Sequence, residues 1–254
     1  MSFYWCFVLS IPFYSFFTYA VLKKYGDSYG VVIAVIAPLS LELYVRIKDF
    51  NGSLVSLPTF FSILLGIFTG VLMYNWKNKI GKAIYAAVVA VFATWVFFYG
   101  YPRFIFKLNY GTFTGDISEP APKFAFVDSV GNRYEKFEGI TVLDFWDTHC
   151  GVCFQKFPLL QQLYTQYKQQ PGVRIYAANL PVDDNTPLQA FSEITERNYT
   201  FPVLKSDEII DTTLKKFKFT GVPTVIVLDG SNEIKYRGDV EGVDKVIKKL
   251  LASK

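Results

Sequence analysis

Hydrophobic and polar positions divide the chain into two unlike parts. From residue 3 to about residue 106 apolar and aromatic side chains run on almost without interruption, whereas beyond residue 123 they fall into short runs separated by polar turns. Four N-terminal runs, at about 3–22, 29–45, 57–76 and 83–101, come close to the roughly 20 residues that a helix needs to cross about 30 Å of hydrocarbon. Lipid offers a bare backbone no hydrogen-bond partner, so runs of this composition are expected to be helices. Tyr4, Trp5, Tyr25, Tyr29, Trp76, Tyr99 and Tyr101 stand at their ends, as in an interfacial aromatic belt. A signal peptide is the competing reading of the first run. No basic residue precedes it and no small-residue cleavage site follows it.

Residues 107–122 include Gly111, Gly115, Pro120 and Pro122 and keep no hydrophobic period, which reads as a linker between a membrane anchor (1–106) and a soluble domain (123–254). In the soluble part strand and helix patterns alternate: strands at about 124–128 and 140–146, a helix at 150–168, a strand at 173–179, a helix at 188–198, a short strand at 202–204 and a helix at 208–217. The end reads as a hairpin, 224–229 and 233–237 joined through Gly230-Ser231-Asn232, and then an amphipathic helix at 243–251. The predicted fold class is α/β, a mixed sheet covered by helices, preceded by an all-α membrane domain of four transmembrane helices.

Charge refines the picture. The 254 residues carry 26 basic and 22 acidic side chains. Nine basic residues but only Asp27, Glu42 and Asp49 occur up to Lys107, a net +6, and the remainder is a net −2. The basic excess belongs to short membrane loops and gives no reason to expect nucleic-acid binding. Loops 23–28 and 77–82 hold five lysines on one side, against Arg46 and Lys48 offset by Asp49 on the other. The positive-inside rule therefore places both termini and the soluble domain on the non-cytoplasmic face, periplasmic or extracellular, although Arg103 and Lys107 count against it.

Three cysteines are present, and two are close together. Cys150-Gly151-Val152-Cys153 follows a predicted strand and opens a predicted helix, a context that serves redox chemistry. Helix-terminal N–H groups and the macrodipole favour the thiolate of Cys150 and make it the nucleophile. Cys153, one turn further in, is placed to resolve a mixed disulfide. A zinc site would need more ligands than Cys6 and the single histidine, His149, supply. A purely structural disulfide stays open as an alternative.

The segment Leu143-Asp144-Phe145-Trp146-Asp147-Thr148-His149-Cys150-Gly151-Val152-Cys153 resembles the active-site strand and turn of thioredoxins, in particular the TlpA-like membrane-anchored branch. The resemblance extends over about 130 residues. It implies that Asp144, six residues before Cys150, is a buried carboxylate exchanging a proton with the second cysteine, with its pKa raised by the apolar strand. It implies that Pro158 kinks the first helix, and that Gly221-Val222-Pro223-Thr224 is a cis-proline loop. Val222 and Pro223, with Gly151 and Val152 of the central dipeptide, would then line the substrate groove, the substrate backbone adding like a strand. Two positions depart from the family pattern: Val152 stands in place of the usual proline, and His149 in place of the usual tryptophan. A cationic His149 beside the thiolate would lower the pKa of Cys150 and shift the pair toward oxidising behaviour; an exposed histidine with no energetic role is the alternative.

A thiol relay through the bilayer, as in vitamin K epoxide reductase-like proteins, needs paired membrane cysteines, and only Cys6 is there. Gly66 and Gly70 have the spacing of a helix-packing face, Pro12 and Pro38 are candidate kinks, and Glu42 lies near enough to a helix end to reach the headgroups. The reading is a membrane-bound protein-disulfide oxidoreductase without bound cofactor or metal, acting on disulfide-containing exported proteins and recharged by a separate redox donor or acceptor. Reduction is favoured over oxidation. A peroxidase is disfavoured, because Asp147 stands where a threonine would be expected. The alternative from another class is a binding or assembly module whose thiols are incidental.

Overall fold

Long helices account for the N-terminal part and an eight-stranded sheet for the rest, as the two hydropathy regimes require. The computed structural model describes residues 3–26, 29–182 and 189–253. The side chains of Tyr4 and Tyr29, and residues Asp27, Ser28 and Leu188, lie outside that description. The chain separates into two units, Met1–Ile105 and Phe106–Lys254.

The first unit contains α1 (Phe3–Tyr25), α2 (Tyr29–Ile36), α3 (Pro38–Lys48), a single turn α4 (Phe50–Ser53), α5 (Leu57–Asn75) and α6 (Lys79–Trp95); a π-helical turn carries α6 into α7 (Tyr101–Tyr110), whose residues from Phe106 on belong to the second unit. Four helical stretches are long and apolar enough to cross a membrane: Trp5–Tyr25, Gly30–Lys48, Leu54–Asn75 and Lys79–Tyr110. Large apolar side chains such as Phe13, Phe16, Leu41 and Val91 are exposed on them, the outcome expected of a surface that faces lipid. Pro12 lies inside an unbroken α1, whereas Pro38 starts α3 and so divides the second span in two. Gly66 and Gly70 are a packing face: a Cβ at Gly66 would meet the Ile11 carbonyl oxygen at 2.9 Å, and one at Gly70 would meet the Thr18 Cβ at 2.6 Å. Only a bare Cα lets α5 approach α1 this closely. Arg46 is buried, pairs with Glu42 and donates to the carbonyls of Ser53 and Ser56 at 3.1 and 3.3 Å.

The fourth run does not stop near residue 101. Its helix continues to Tyr110, 32 residues from Lys79, or about 48 Å at 1.5 Å per residue. Arg103 and Lys107 end the hydropathy signal without ending the helix, since both residue types are good helix formers.

In the second unit the strands are β1 (Asp116–Pro120), β2 (Phe126–Val127), β3 (Arg133–Tyr134), β4 (Ile140–Trp146), β5 (Val173–Asn179), β6 (Val203–Ser206), β7 (Thr224–Leu228) and β8 (Glu233–Gly238). The helices are α8 (Gly151–Tyr167), α9 (Gln189–Glu196), α10 (Ile210–Phe217) and α11 (Val243–Ala252). The strand order is β1-β8-β7-β4-β5-β6-β2-β3, with β4, β5 and β6 parallel and the other neighbours antiparallel. This is the mixed, helix-covered sheet expected from the alternating pattern.

Here the linker reading is corrected. Residues 107–122 hold the last turn of α7 and the edge strand β1, whose Asp116 pairs with Tyr236 and whose Glu119 pairs with Ile234. The stretch Asp-Ile-Ser-Glu-Pro has little hydrophobic pattern of its own because an edge strand with one covered face gains its order from its neighbour's hydrogen bonds. Gly115, at φ +86°, makes the turn into β1 where a side chain would collide with the Tyr236 ring.

Every residue of β4 is buried, and its alternation sends side chains to two cores. Ile140, Val142 and Trp146 face α8 and α11, packing with Cys153, Phe157, Leu160, Val243 and Ile247. Leu143 and Phe145 face the other way, against Phe126, Phe137, Leu204 and Phe217. Asp144 occupies the first of these faces. The site hangs on this strand.

Candidate active site

The turn after β4 is built by a side chain. Asp147 Oδ1 accepts the His149 N–H at 2.7 Å, and its carbonyl accepts the Cys150 N–H at 3.2 Å, which bends the chain from strand to helix within three residues. Cys150 is then the N-cap of α8: its carbonyl takes the Cys153 N–H at 3.0 Å, and its Sγ lies 3.1 Å from the same nitrogen. The N-terminal dipole of a 17-residue helix is thus directed at this sulfur.

Cys150 and Cys153 are joined in a disulfide with an S–S distance of 2.00 Å. Their exposure differs. Cys150 is half-buried, whereas Cys153 is 1% exposed in the core with Trp146 and Phe157. An incoming thiol or disulfide therefore meets Cys150 first. Gly151 and Val152 are exposed on the surface beside it. The Val222–Pro223 peptide bond is cis, Thr224 Oγ1 closes the loop by donating to the Gly221 carbonyl at 2.7 Å, and Val222 packs against the core that holds Cys153 and flanks Cys150.

Asp144 is 1% exposed, and its Oδ1 has no hydrogen-bond partner. Burial is the main cause that pushes its pKa up to about 8; the carboxylates of Asp239 and Glu241 add to this, and Lys156 opposes it. A carboxyl group so placed titrates near neutral pH, which fits it to pass protons. His149 is different: its ring is 73% exposed, 3.8 Å from Asp147 Oδ1. Pro158 lies within α8 and leaves the Phe154 carbonyl without its helical donor. Among the described residues no group of His, Cys, Asp and Glu could hold a metal ion. Cys6, the remaining cysteine, is a half-buried free thiol on α1.

Comparison with known proteins agrees with this geometry. The thioredoxin-like family matches residues 138–234, from the loop before β4 to the start of β8. The thiol-disulfide oxidoreductase ResA of Bacillus thuringiensis subsp. konkukian is 31% identical over 158 residues, which span 57% of this chain and 87% of that protein. The namesake from Geobacillus kaustophilus is 31% identical over 123 residues, 47% of this chain and 67% of its own. The chain belongs to the thioredoxin superfamily of thiol–disulfide oxidoreductases. Among solved structures it is similar to a thiol:disulfide interchange protein from Bacteroides sp., with 21% identity, 52% and 90% coverage and a TM-score of 0.44. StoA from Bacillus subtilis has 21% identity, 50% and 98% coverage and a TM-score of 0.40. The oxidoreductase acts on protein disulfides and carries, in addition, the four long apolar helices.

Three groups around Asp144 had no signal in the sequence. Lys156 on α8, Asp239 after β8 and Glu241 beyond it are 12 or more positions away from Asp144 along the chain; the fold brings Lys156 and Asp239 to the crevice that Asp144 borders, and Glu241 close enough for its charge to act on Asp144. In the sequence Asp147 is notable only for standing where a peroxidase would carry threonine; in the fold its carboxylate organises the turn that presents Cys150.

Proposed function

We propose that this oxidoreductase is membrane-bound and reduces disulfides of exported proteins through Cys150 and Cys153, with residues 1–106 as its anchor and the thioredoxin-like domain on the non-cytoplasmic side. The observation that carries the reading is a half-buried sulfur at the head of α8, bonded to a buried sulfur one turn behind, on the same face of the sheet as a carboxyl group of raised proton affinity.

The steps balance as follows. In the dithiol state the Cys150 thiolate attacks one sulfur of the substrate disulfide, forming a mixed disulfide and releasing one substrate thiolate, which takes a proton from solvent. The Asp144 carboxylate takes the proton of the Cys153 thiol. The Cys153 thiolate then attacks Cys150 Sγ, breaking the mixed disulfide and releasing the second substrate thiolate. Two electrons have passed to the substrate, the enzyme disulfide has formed, and Asp144 holds one proton. Val222, Pro223, Gly151 and Val152 form the surface on which the substrate strand lies. His149 modulates Cys150 when protonated. A separate dithiol donor restores the reduced state, because the chain has no second pair.

Orientation is supported by the state of Arg46. With its charge paired to Glu42, the loop between the second and third spans keeps little net positive charge, whereas loops 23–28 and 77–82 keep their lysines. Two experiments test the proposal. A Cys153→Ser variant should accumulate mixed disulfides between Cys150 and exported proteins. A redox titration should give a potential near −270 mV, as for thioredoxin; a value near −120 mV reverses the direction to oxidation. Full cellular function after both cysteines are changed to serine refutes the enzymatic reading in favour of a binding module.

A further inference from the structure

The last turn of α7 belongs by its contacts to the thioredoxin-like unit, and it reaches the segment next to Asp144. Tyr110 Oη donates to Asp239 Oδ1 at 2.6 Å. The turn is held there by other bonds: Arg237 Nε donates to the Tyr110 carbonyl at 2.8 Å, and the Thr220 N–H to the Asn109 carbonyl at 3.2 Å. Asp239, Asp144 and Lys156 border one small crevice, closed by Pro223 and Gly238. Lys156 is ion-paired to Glu241, so part of its charge is already answered, and the Asp239 carboxylate keeps only the phenol as its side-chain partner among the described residues.

We propose that Asp239, fixed by Tyr110, is a positioning residue for thiol–disulfide exchange: its carboxylate across the crevice sets the pH at which Asp144 accepts and releases the Cys153 proton. The inference rests on the role given to Asp144 above. The charged groups that act on Asp144 are Lys156 from α8, and Asp239 and Glu241 from the segment after β8; Cys153 packs in the core on the same face of the sheet, and the strand neighbours, Ala177 on β5 and Val225 on β7, are apolar. Of these, Asp239 is the one held by a group outside the sheet and its helices. A negative charge nearby makes Asp144 a stronger base, suited to taking a proton from a thiol. The device adds no atom to the reaction. It moves the working pH of a base that does.

The test uses the full-length reduced protein in detergent at low ionic strength and reads the pH profile of iodoacetamide alkylation, together with the pH profile of disulfide reduction. Asp239→Asn should move the inflection assigned to Asp144 down by about one pH unit, and Asp239→Glu should restore most of it. Tyr110→Phe, which keeps the carboxylate and removes its anchor, should move it in the same direction by less. It also serves as the probe should Asp239→Asn not fold. A shift smaller than about half a unit in Asp239→Asn overturns the inference, as does an unmoved or upward-shifted profile in Tyr110→Phe. Asp144→Asn separates the two levels: if that variant leaves the profile unmoved, the role of Asp144 itself fails; if it abolishes the inflection while Asp239→Asn leaves it in place, only the role of Asp239 fails.

Discussion

Replacing Asp144 by asparagine should stabilise the oxidised protein, and by an amount that grows with pH. The carboxyl group is buried and its pKa is raised from 3.8 to about 8. A raised carboxylate pKa means that the fold prefers the neutral form, while the unfolded chain ionises freely above its own pKa. The stability linked to this group is therefore fully present below pH 3.8 and is lost progressively as pH rises to about 8, after which the loss is constant. At about 1.4 kcal/mol per unit, the loss is about 2 kcal/mol at pH 5, about 4 at pH 7 and about 5 at pH 8. Asparagine removes this dependence. It also leaves a buried amide whose NH2 donors lack a partner, beside an oxygen that is already without one in the wild type; that cost, about 1–3 kcal/mol, lowers the gain equally at every pH and leaves its pH dependence unchanged.

The variant should thus gain about 3–4 kcal/mol more, relative to wild type, at pH 8 than at pH 5. Urea unfolding of the oxidised protein in detergent, followed by hydrogen exchange at the amides of β4, measures both differences in one unit. Working on the disulfide form keeps Cys153 from titrating. Equal differences at the two pH values, within about half a kcal/mol, would show that the buried carboxyl is not held neutral and would refute the reasoning.

Three further outcomes are expected. Reduced Cys150 should alkylate at pH 6 roughly tenfold faster than free cysteine; an equal rate removes the helix N-terminus as the activating cause. Gly70→Val should cost about 1–3 kcal/mol of the membrane unit's stability, because the added carbons meet the Thr18 side chain and the Ser15 carbonyl, and retention of the wild-type melting temperature in micelles counts against tight α1–α5 packing. Arg237→Met should cost about 3–5 kcal/mol, since Arg237 is 4% exposed and donates to the carbonyls of Tyr110 and Phe217 and to Glu119; equilibrium unfolding of the soluble unit is the check.

Local chemistry was readable from the order of residues alone. The strand at 140–146, the turn and the helix that starts at the cysteines follow from a β-branched and aromatic run, a short polar break and a helical period, all within 20 positions. The apolar helices were legible for a similar reason, because hydrocarbon imposes one solution on any long apolar run. What the tertiary structure decided depends on distant partners. β1 exists because β8 offers it hydrogen bonds, so residues 116–120 looked like linker. The place of the last turn of α7 is set by Arg237 and Thr220, which donate to its Tyr110 and Asn109 carbonyls. The proton affinity of Asp144 follows from burial and from the carboxylates of Asp239 and Glu241, about a hundred positions away, and a charge's effect is set by distance through space, which spacing along the chain does not record.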